Sequence, residues 1–321
     1  MYDITGVYCA TDVADAVRAL SELEAPTVVA GGTDVLVAVR AGALAGASLV
    51  SIHGLRDELA GVRALDCGDV EIGALTTFRE LEESRVVREH LRVLADAAGT
   101  VGGPQIRAMG TVGGNVANGM TSADTASTLL ALGARARLRS VAGEREVPLD
   151  AFYTAPGQTA RRPDELLVSL VVPREGYEGF AGHYEKYAMR RAMDVDVVGV
   201  SCLVALDEAR ERVRDVRLAL GVFGPGPIRA LEAEDAARGL SVSGAARAIG
   251  PVAARCGSPR TDRRATKEFR QRIACELSGR ALLAAAARGG WRGDGAVQVG
   301  GTSGVAVPRP GVVPERGGEA R

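Results

Sequence analysis

Three observations in this 321-residue sequence predict an α+β fold with two α/β subdomains and a separate C-terminal domain. A strand, a Gly-Gly turn and a helix follow one another at residues 27–40. A longer glycine-rich stretch, residues 99–120, lies within a second block of strands and helices. After Pro173 the order changes to strands first and helices later, which is typical of a separate α+β unit.

The first subdomain is predicted to span residues 1–55. Apolar residues at helical spacing and short apolar runs are the signals used for its elements. They predict, in order, a helix, a strand, a turn, a helix and a strand at residues 12–24, 27–30, 31–32, 35–40 and 49–52. A strand–loop–helix unit of this kind presents a helix N-terminus that can face phosphate.

The second subdomain is predicted to span residues 56–176. Strands are predicted at 70–73, 134–140 and 166–172, and helices at 78–81, 89–98 and 126–132. Because Arg alternates with small or apolar residues over 134–140, we expect that strand to be exposed. The stretch 99–120 is predicted to be a loop, and ordered loops of that length are usually functional.

The C-terminal domain is predicted to span residues 177–289 and to contain a three-stranded antiparallel sheet with helices packed on it. Its predicted strands and helices lie at 183–190, 197–206 and 213–222, and at 228–239, 244–255 and 266–287. Residues 290–321 contain one Trp and many Gly, Pro and charged residues, so they are predicted to form a disordered tail.

Composition excludes several functional classes. A formal net charge of -1 gives no general electrostatic case for nucleic acid or an anionic membrane. The sequence shows neither a spanning apolar run nor a signal peptide, so a cytoplasmic location is expected. The five cysteines are odd in number and never spaced as CxxC, which argues against a disulfide framework and against a metal or iron–sulfur site in this chain.

Two segments, Ala30–Asp34 and Thr111–Asn118, share a Gly-Gly pair followed by a short polar residue. Glycine lets the backbone approach a ligand, and successive N–H groups form an anion-binding nest. Two such nests predict a clamp around a pyrophosphate and therefore a dinucleotide site. The hydroxyls of Thr33 and Thr111 would be additional donors.

Each of these features also has a structural interpretation. The second segment would be a loop held by the Asn115 and Asn118 side chains. Asp34 would cap the following helix, whereas Asp124 would either accept hydrogen bonds from a ribose or cap a helix starting at Thr125. Neither segment contains the GxGxxG or GxxxxGK[ST] pattern of the familiar nucleotide-binding loops.

Taken together, the motifs resemble the FAD-binding (medium) subunits of the molybdenum hydroxylases, the xanthine dehydrogenase family. The matching pieces cover residues 1 to about 287 and occur in the family's order. They are Val29–Asp34, Gly103–Arg107, Thr111–Asn118, Thr121–Asp124, Asp164–Leu167, Lys186–Arg190 and Lys267–Arg270. The segments Gly103–Arg107 and Lys186–Arg190 look most similar to bacterial xanthine dehydrogenase FAD subunits.

The resemblance implies a two-subdomain FAD-binding domain of the PCMH/vanillyl-alcohol-oxidase type, followed by a C-terminal domain like that of carbon monoxide dehydrogenase flavoproteins. FAD would lie between the subdomains and be bound noncovalently. Residues 28–35 and 111–115 match pyrophosphate positions, and Asp124 matches an adenosine-side ligand. The implied cofactor-binding residues are Val28, Val29, Ala30, Gly31, Gly32, Thr33, Asp34, Val35, Val101, Gly102, Ile106, Gly110, Thr111, Gly113, Gly114, Asn115, Ala117, Asn118, Asp124, Leu166, Leu167 and Lys186.

Within that set, Val101 and Ile106 match positions that pack on FAD, and Leu166 or Leu167 approaches the flavin ring. Lys186 matches a cofactor-contacting lysine, with a solvated strand residue as its structural alternative. Residues 190–196 match the loop where NAD would dock. Lys186 and this loop would tune the flavin, and no side chain would act as a general acid or base.

By the same resemblance, the chain would take electrons from the two-iron clusters of a small subunit onto FAD and pass them to NAD or oxygen. A molybdopterin-binding large subunit would hydroxylate a purine. The alternatives are a subunit of another molybdenum hydroxylase acting on an aldehyde, nicotinate, an aromatic acyl-CoA or carbon monoxide. A stand-alone flavin oxidase and a non-catalytic nucleotide-binding scaffold are further alternatives.

Overall fold

The computed structural model describes residues 3–293. It contains three main sheets, each with its own hydrophobic core. Most of the segment predicted to be a disordered tail lies outside the described residues. Trp291 belongs to that segment, but it packs against the core of the C-terminal sheet and its backbone N–H donates to Ala286 O at 3.0 Å.

The first sheet is parallel, with strand order β1-β3-β2, so β2 is an edge strand. Its elements are β1 (Ile4–Cys9), α1 (Val13–Glu22), β2 (Pro26–Val29), α2 (Val35–Arg40) and β3 (Ala47–Ser51). The amphipathic helix α1 buries Val13, Ala16 and Leu20 against this sheet. Strand β1 was not predicted, because five of its six residues are exposed and leave no hydrophobic alternation to read.

The second sheet is antiparallel, with strand order β4-β5-β10-β6-β7. Its strands are β4 (Val62–Ala64), β5 (Val70–Gly73), β6 (Arg135–Ser140), β7 (Gly143–Pro148) and β10 (Leu166–Val172). A two-stranded hairpin, β8 (Tyr153–Ala155) and β9 (Gln158–Thr159), lies beside it in sequence. The central strand β10 pairs with strands distant in sequence, since Leu170 lies opposite both Ile72 and Ala136.

Seven helices accompany this sheet among the described residues. They are α3 (Arg56–Leu59), α4 (Phe78–Glu83), α5 (Arg85–His90), α6 (Arg92–Gly99), α7 (Pro104–Met109), α8 (Val112–Ala117) and α9 (Asp124–Ala131). Side chains of α4, α6 and α9 fill the largest core, together with apolar residues of β5, β6 and β10.

The prediction of a continuous loop over residues 99–120 was wrong. Pro104 occupies the first position of α7, where its missing N–H costs nothing. The Thr111 hydroxyl accepts the N–H of Gly114 and caps α8. The density of glycine masked these two short helices in the sequence.

The prediction of an exposed strand over residues 134–140 was also wrong. Ala136 and Leu138 are fully buried in the core, and β6 lies between β10 and β7. The arginines between them face partners: Arg137 pairs with Glu71 at 2.5 Å and with Glu146 at 2.9 Å.

The third sheet belongs to the C-terminal domain and has four antiparallel strands rather than the predicted three. They are β11 (Ala181–Tyr187), β12 (Val198–Leu206), β13 (Val213–Gly221) and the two-residue β14 (Ile228–Arg229). Strand β11 ends at Tyr187, earlier than predicted. Three helices follow: α10 (Leu231–Ala237), α11 (Val242–Ala253) and α12 (Lys267–Arg288).

Strand β12 joins the C-terminal domain to the preceding one. Eight of its nine residues are buried, because it contacts both α12 of its own domain and α9 of the second sheet's layer. At that contact the Ser201 hydroxyl lies 2.8 Å from the Thr128 hydroxyl and 3.1 Å from the Ser127 hydroxyl. Among residues 3–293, no helix has the length and apolarity that crossing a membrane requires.

Helices α11 and α12 pack closely through Gly250. A Cβ atom at this position would lie 2.2 Å from the Cys275 carbonyl oxygen. We therefore expect Gly250→Ala to lower the free energy of unfolding by about 1–3 kcal/mol, because the helices must separate. Urea unfolding followed by circular dichroism measures this change.

Gly244, on the same helix, is the matched control. A Cβ there would meet only the Ser241 Oγ at 3.0 Å and the Leu240 Cβ at 3.7 Å. Gly244→Ala should therefore leave stability unchanged or slightly raise it, since alanine is the better helix former. Equal destabilisation by both substitutions would contradict the close-packing explanation.

Candidate functional site

The two glycine segments contact each other where the turn after β2 meets α7 and α8, and we call the region between them the cleft. The Asn118 side-chain nitrogen donates to Asp34 Oδ2 at 2.8 Å, across 84 positions of sequence. Gly31 packs directly on the end of α7, where a Cβ atom would lie 1.8 Å from the Met109 carbonyl oxygen. The structure therefore brings the two segments together, and only glycine allows that approach at position 31.

The first segment offers free backbone donors. Within the described part of the chain, the N–H groups of residues 31–34 have no protein acceptor. Gly32 has a φ of +72°, which bends the chain and suits glycine. The edge strand β2 and residues 30–33 are all half-buried, so one side of this segment lines open space. This arrangement has the properties of an anion-binding nest.

The second segment does not offer the free amides that we expected. The N–H groups of Val112 and Gly113 donate to the carbonyl oxygens of Thr76 at 2.9 Å and Ala74 at 3.0 Å. The N–H groups of Gly114 and Asn115 donate to the Thr111 hydroxyl and carbonyl oxygens, respectively. These amides hold α8 against the second sheet, so they are not free to bind an anion. The prediction of a second anion-binding nest was wrong.

The glycines of the second segment have different environments. A Cβ atom at Gly113 would lie 2.5 Å from the Ala74 Cβ, so this glycine faces the protein interior. Gly110 is similarly enclosed, with the Phe78 ring 2.9 Å from an added Cβ. Gly114 is exposed, and an added Cβ would meet only the Thr111 hydroxyl at 3.0 Å. Gly114 is therefore the position where a ligand can approach the backbone.

The side chains of Asn115 and Asn118 make hydrogen bonds that hold the cleft together, and the Asn115 amide nitrogen remains able to donate to a ligand. The Asn115 side-chain oxygen accepts the Thr125 hydroxyl at 2.6 Å, and its nitrogen has no acceptor among residues 3–293. The Asn118 side-chain oxygen accepts the Met120 N–H at 2.9 Å. Asp34 makes no capping hydrogen bond to α2, so its side chain joins the segments instead.

A buried quartet of Asp124, Tyr184, Lys186 and Asp196 joins α9 to the C-terminal sheet. Lys186 Nζ lies 2.8 Å from Asp124 Oδ1 and 3.3 Å from Asp196 Oδ1, and the Tyr184 hydroxyl contacts both carboxyl groups. The Lys186 side chain is only 10% exposed, which rules out the alternative of a solvated strand residue. Asp124 is the first residue of α9 and its carboxylate does not cap the helix.

The pKa of Lys186 is raised. Burial lowers it, but the neighbouring carboxyl groups of Asp196 and Asp124 outweigh burial. The same ammonium also donates to the Thr100 carbonyl oxygen at 3.3 Å, next to Val101. Lys186 is therefore held as a cation beside the residues expected to pack on the flavin.

Two expectations about these residues conflict. Asp124 was expected at the adenosine end of the cofactor, whereas Lys186 was expected to tune the flavin ring at the opposite end. An ion pair of 2.8 Å joins them, so they lie at one place in the structure and the two expectations cannot both hold. Lys186 also contacts Thr100, the residue before Val101.

The remaining predicted residues line or support this region. Val101 is almost buried, Ile106 packs half-buried against the same core, and Ala117 does likewise. The Met193 N–H donates to the Gly102 carbonyl oxygen at 3.1 Å, so the 190–196 loop touches this end of the cleft.

At the start of β10, Leu166 and Leu167 belong to different cores. Leu166 packs with the first sheet, and Leu167 packs with the second. They are only 2% and 4% exposed, so each leaves little surface for a ring.

Sequence reasoning missed Tyr184 and Asp196. One signal was present: Gly199 and Gly221 interrupt two strongly apolar strands and lie directly opposite each other. Paired glycines in neighbouring strands indicate that another group comes close to the sheet.

Comparison with known proteins gives consistent matches along the chain. Residues 2–175 match the family model described as the FAD binding domain in molybdopterin dehydrogenase, and residues 183–285 match the CO dehydrogenase flavoprotein C-terminal domain. The xanthine dehydrogenase FAD-binding subunit of Escherichia coli O157:H7 is 35% identical over 90% of this chain and 99% of its own length. The nicotine 6-hydroxylase medium subunit of Paenarthrobacter nicotinovorans is 32% identical over 86% of this chain and 95% of its own length.

The fold is also similar to solved structures. Carbon monoxide dehydrogenase from Hydrogenophaga pseudoflava superposes with a TM-score of 0.84 and 28% identity, over 90% of this chain and 99% of that one. This similarity confirms the predicted fold class. With the family model covering more than half of the chain, it establishes that the chain belongs to the FAD-binding medium subunits of the molybdenum hydroxylase family.

Proposed function

We propose that this chain is the electron-output subunit of a xanthine dehydrogenase-like molybdenum hydroxylase. Its partners would be a molybdopterin-binding large subunit and an iron–sulfur small subunit. Bound FAD supplies the redox chemistry, since flavins exchange electrons singly or in pairs and so connect iron–sulfur clusters with NAD. The observation that carries the FAD site is the set of free amides at residues 31–34, in a segment that the Asp34–Asn118 hydrogen bond joins to the helix of Gly114.

The residues of the cleft fit a dinucleotide. Neither glycine segment contains Lys or Arg, so a pyrophosphate would be bound by the amides of residues 31–34 and the side-chain donors of Thr33, Thr111 and Asn115. Such dipolar donors stabilise phosphate without a paired cation. The role of the Asp34–Asn118 hydrogen bond would be to keep both sets of donors at a fixed separation.

At the other end of the cleft, the chain provides a charged side chain, Lys186, and a loop, residues 190–196. Lys186 is a cation held between two carboxyl groups, and it would lie beside the flavin together with Val101 and Ile106. The 190–196 loop would control access of the acceptor, because Met193 contacts Gly102 at this point. These residues bind, orient and exclude water, and none of them needs to transfer a proton to substrate.

The finer assignment to xanthine rests on the 35% identity with the Escherichia coli protein over 99% of that protein's length, whereas NAD as acceptor rests on the family resemblance of the 190–196 loop. The similarity to a nicotine hydroxylase and to carbon monoxide dehydrogenase makes those two substrate classes the alternatives to test. Within residues 3–293 no group of three His, Cys, Asp or Glu side chains is placed to hold a metal ion.

Gly114→Val tests the FAD site. The added side chain would occupy the open space at the N-terminus of α8, so we expect the affinity for FAD to fall more than about tenfold with the fold retained. FAD binding is measured by flavin fluorescence quenching on the purified chain, and folding by circular dichroism.

Gly244→Val is the matched control. Gly244 also occupies the third position of a hydroxyl-capped helix, and its Cβ would likewise lie 3.0 Å from the capping oxygen. It should retain normal FAD affinity. A Gly114→Val protein that purifies with a full complement of FAD would remove the basis for this site.

The substrate and acceptor are tested on the complex assembled with its partner subunits. We expect xanthine-dependent reduction of NAD, with FAD identified by chromatography after heat release. Turnover of nicotine or carbon monoxide in place of xanthine would reassign the substrate. Reduction of oxygen or an artificial dye, but not NAD, would reassign the acceptor.

A further inference from the structure

Two glycines of the C-terminal sheet leave space for the carboxyl group of Asp196. A Cβ atom at Gly199 would lie 2.5 Å from Asp196 Oδ2 and 2.9 Å from the Tyr184 hydroxyl oxygen. Gly221, the cross-strand partner of Gly199, would place a Cβ 3.7 Å from the same Oδ2. The Asp196 side chain is 2% exposed, so this carboxyl group occupies a hole that two paired glycines provide.

The number of hydrogens available points to one additional proton in the quartet. The Tyr184 hydroxyl oxygen lies 3.0 Å from Asp124 Oδ1 and 3.1 Å from Asp196 Oδ2. A phenol has a single hydrogen, so it can donate fully to only one of them. Both contacts become good hydrogen bonds when one carboxyl group is protonated and donates to the Tyr184 oxygen. Burial and both neighbouring aspartates raise the pKa of Tyr184, so its hydroxyl keeps its own hydrogen.

The proton belongs on Asp196 rather than on Asp124. Asp124 has the shorter contact with Lys186, 2.8 Å against 3.3 Å, so it is the closer ion-pair partner of the ammonium. Asp196 Oδ1 is buried and its contact with Lys186 Nζ, at 3.3 Å, does not have hydrogen-bond geometry, so this oxygen is poorly solvated for a carboxylate. Burial, followed by repulsion from Asp124, raises the pKa of Asp196 well above its usual value, although Lys186 opposes this rise.

No other charged group in the surroundings changes this assignment. From α12, Arg270 binds the Val197 carbonyl oxygen and pairs with Asp262 at 2.7 Å. On the preceding segment, Asp194 accepts the N–H groups of Arg190 and Val195. Strands β12 and β13 present glycines to the carboxyl group. With Asp196 neutral, the charges of Asp124 and Lys186 cancel and the quartet has no net charge.

We propose that Asp196 is a neutral carboxylic acid at neutral pH, that its protonated Oδ2 donates a hydrogen bond to the Tyr184 hydroxyl oxygen, and that it positions Asp124 and Lys186 at the FAD site. Its connection with FAD rests on the proposed function, whereas its protonation does not. Asp196 is a positioning residue because it acts on the cofactor end of the cleft only through Tyr184 and Lys186.

Infrared spectroscopy tests the protonation directly. The difference spectrum between the wild-type chain and Asp196→Asn at neutral pH should contain the C=O stretch of a protonated carboxylic acid. Tyr184→Phe removes the oxygen that accepts the hydrogen bond from Asp196, so it should shift this band without abolishing it. The absence of an acid band from the wild-type protein at neutral pH would overturn the proposal, whatever the variants do.

The pH dependence of stability provides a second test. A carboxyl group with a raised pKa in the folded state keeps a proton that the unfolded chain releases, so stability falls as pH rises above about 4. The Asn side chain of Asp196→Asn does not titrate, so this variant does not lose stability in this way as pH rises. Its amide can still donate a hydrogen bond to Tyr184. The melting temperature of Asp196→Asn should therefore rise relative to wild type between pH of about 4 and neutrality.

Asp194→Asn is the matched control on the same segment, with the opposite sign. Burial acts to raise the pKa of Asp194, but hydrogen bonds from the Val195 and Arg190 N–H groups outweigh it and lower the pKa. The stability that Asp194 contributes is present above its unfolded-state pKa, so the variant should lose stability at neutral pH. If Asp196→Asn behaved in the same way as Asp194→Asn, Asp196 would be ionised and the proposal would be wrong.

Binding of FAD separates this inference from the proposed function. Lys186→Met should raise the FAD dissociation constant more than about tenfold at neutral pH, and Asp196→Asn should raise it clearly less, because the Asn amide keeps a neutral donor to Tyr184. Equal weakening in both variants would mean that Asp196 is a charged partner of Lys186, which contradicts the proposal. If even the wild-type chain failed to bind FAD, the proposed function would fail while the infrared and stability results still decided the state of Asp196.

Discussion

The contact of Gly31 with the end of α7 is the constraint on which the arrangement of the site depends. An added Cβ atom would lie 1.8 Å from the Met109 carbonyl oxygen, so the first segment reaches this position only as glycine. Once it is there, Asp34 accepts from Asn118 and the two sheets share one cleft. The free amides of residues 31–34 then belong to a segment that is tied to the C-terminal end of α8, the helix that carries Gly114. The second sheet contributes a rigid wall, because the amides of α8 are already bonded to Ala74, Thr76 and Thr111.

The C-terminal domain contributes buried side chains to this region. Its strand β12 is buried between α9 and α12, and its residues Tyr184, Lys186 and Asp196 enclose Asp124 of the preceding unit. Breaking a buried pair of this kind leaves an uncompensated charge and costs far more than a surface ion pair. The quartet therefore ties the domains together at the end of the cleft where we place the flavin. The contacts of the quartet hold the two domains together and also fix the position of the Lys186 ammonium.

The sequence allowed the fold class and most long elements to be predicted, since helices such as α1 and strands such as β10 have strong hydrophobic patterns. It did not reveal β1, whose residues are mostly exposed, or the short helices hidden by glycine between residues 99 and 120. For the site, the glycine segments were found because their composition is unusual. The state of their amides was not predictable, because it depends on carbonyl groups of Ala74 and Thr76 that lie far away in sequence. The quartet joins residues 60 positions apart, and only the paired glycines hinted at it.

The distribution of charge in the cleft follows from these contacts. At the phosphate end, neither glycine segment carries a basic residue, so attraction would come from backbone dipoles and side-chain amides that are fixed before a ligand arrives. At the flavin end, one ammonium is surrounded by acceptors from three elements: Asp124 on α9, the Thr100 carbonyl and Asp196. A lysine alone in such a buried place would lose its proton, because burial disfavours the charged form. Two ionised aspartates would leave a net negative charge beside the position that we propose for the flavin. A single ionised aspartate, with its neighbour neutral, keeps Lys186 charged without adding a negative field, and this balance is what a proton on Asp196 provides.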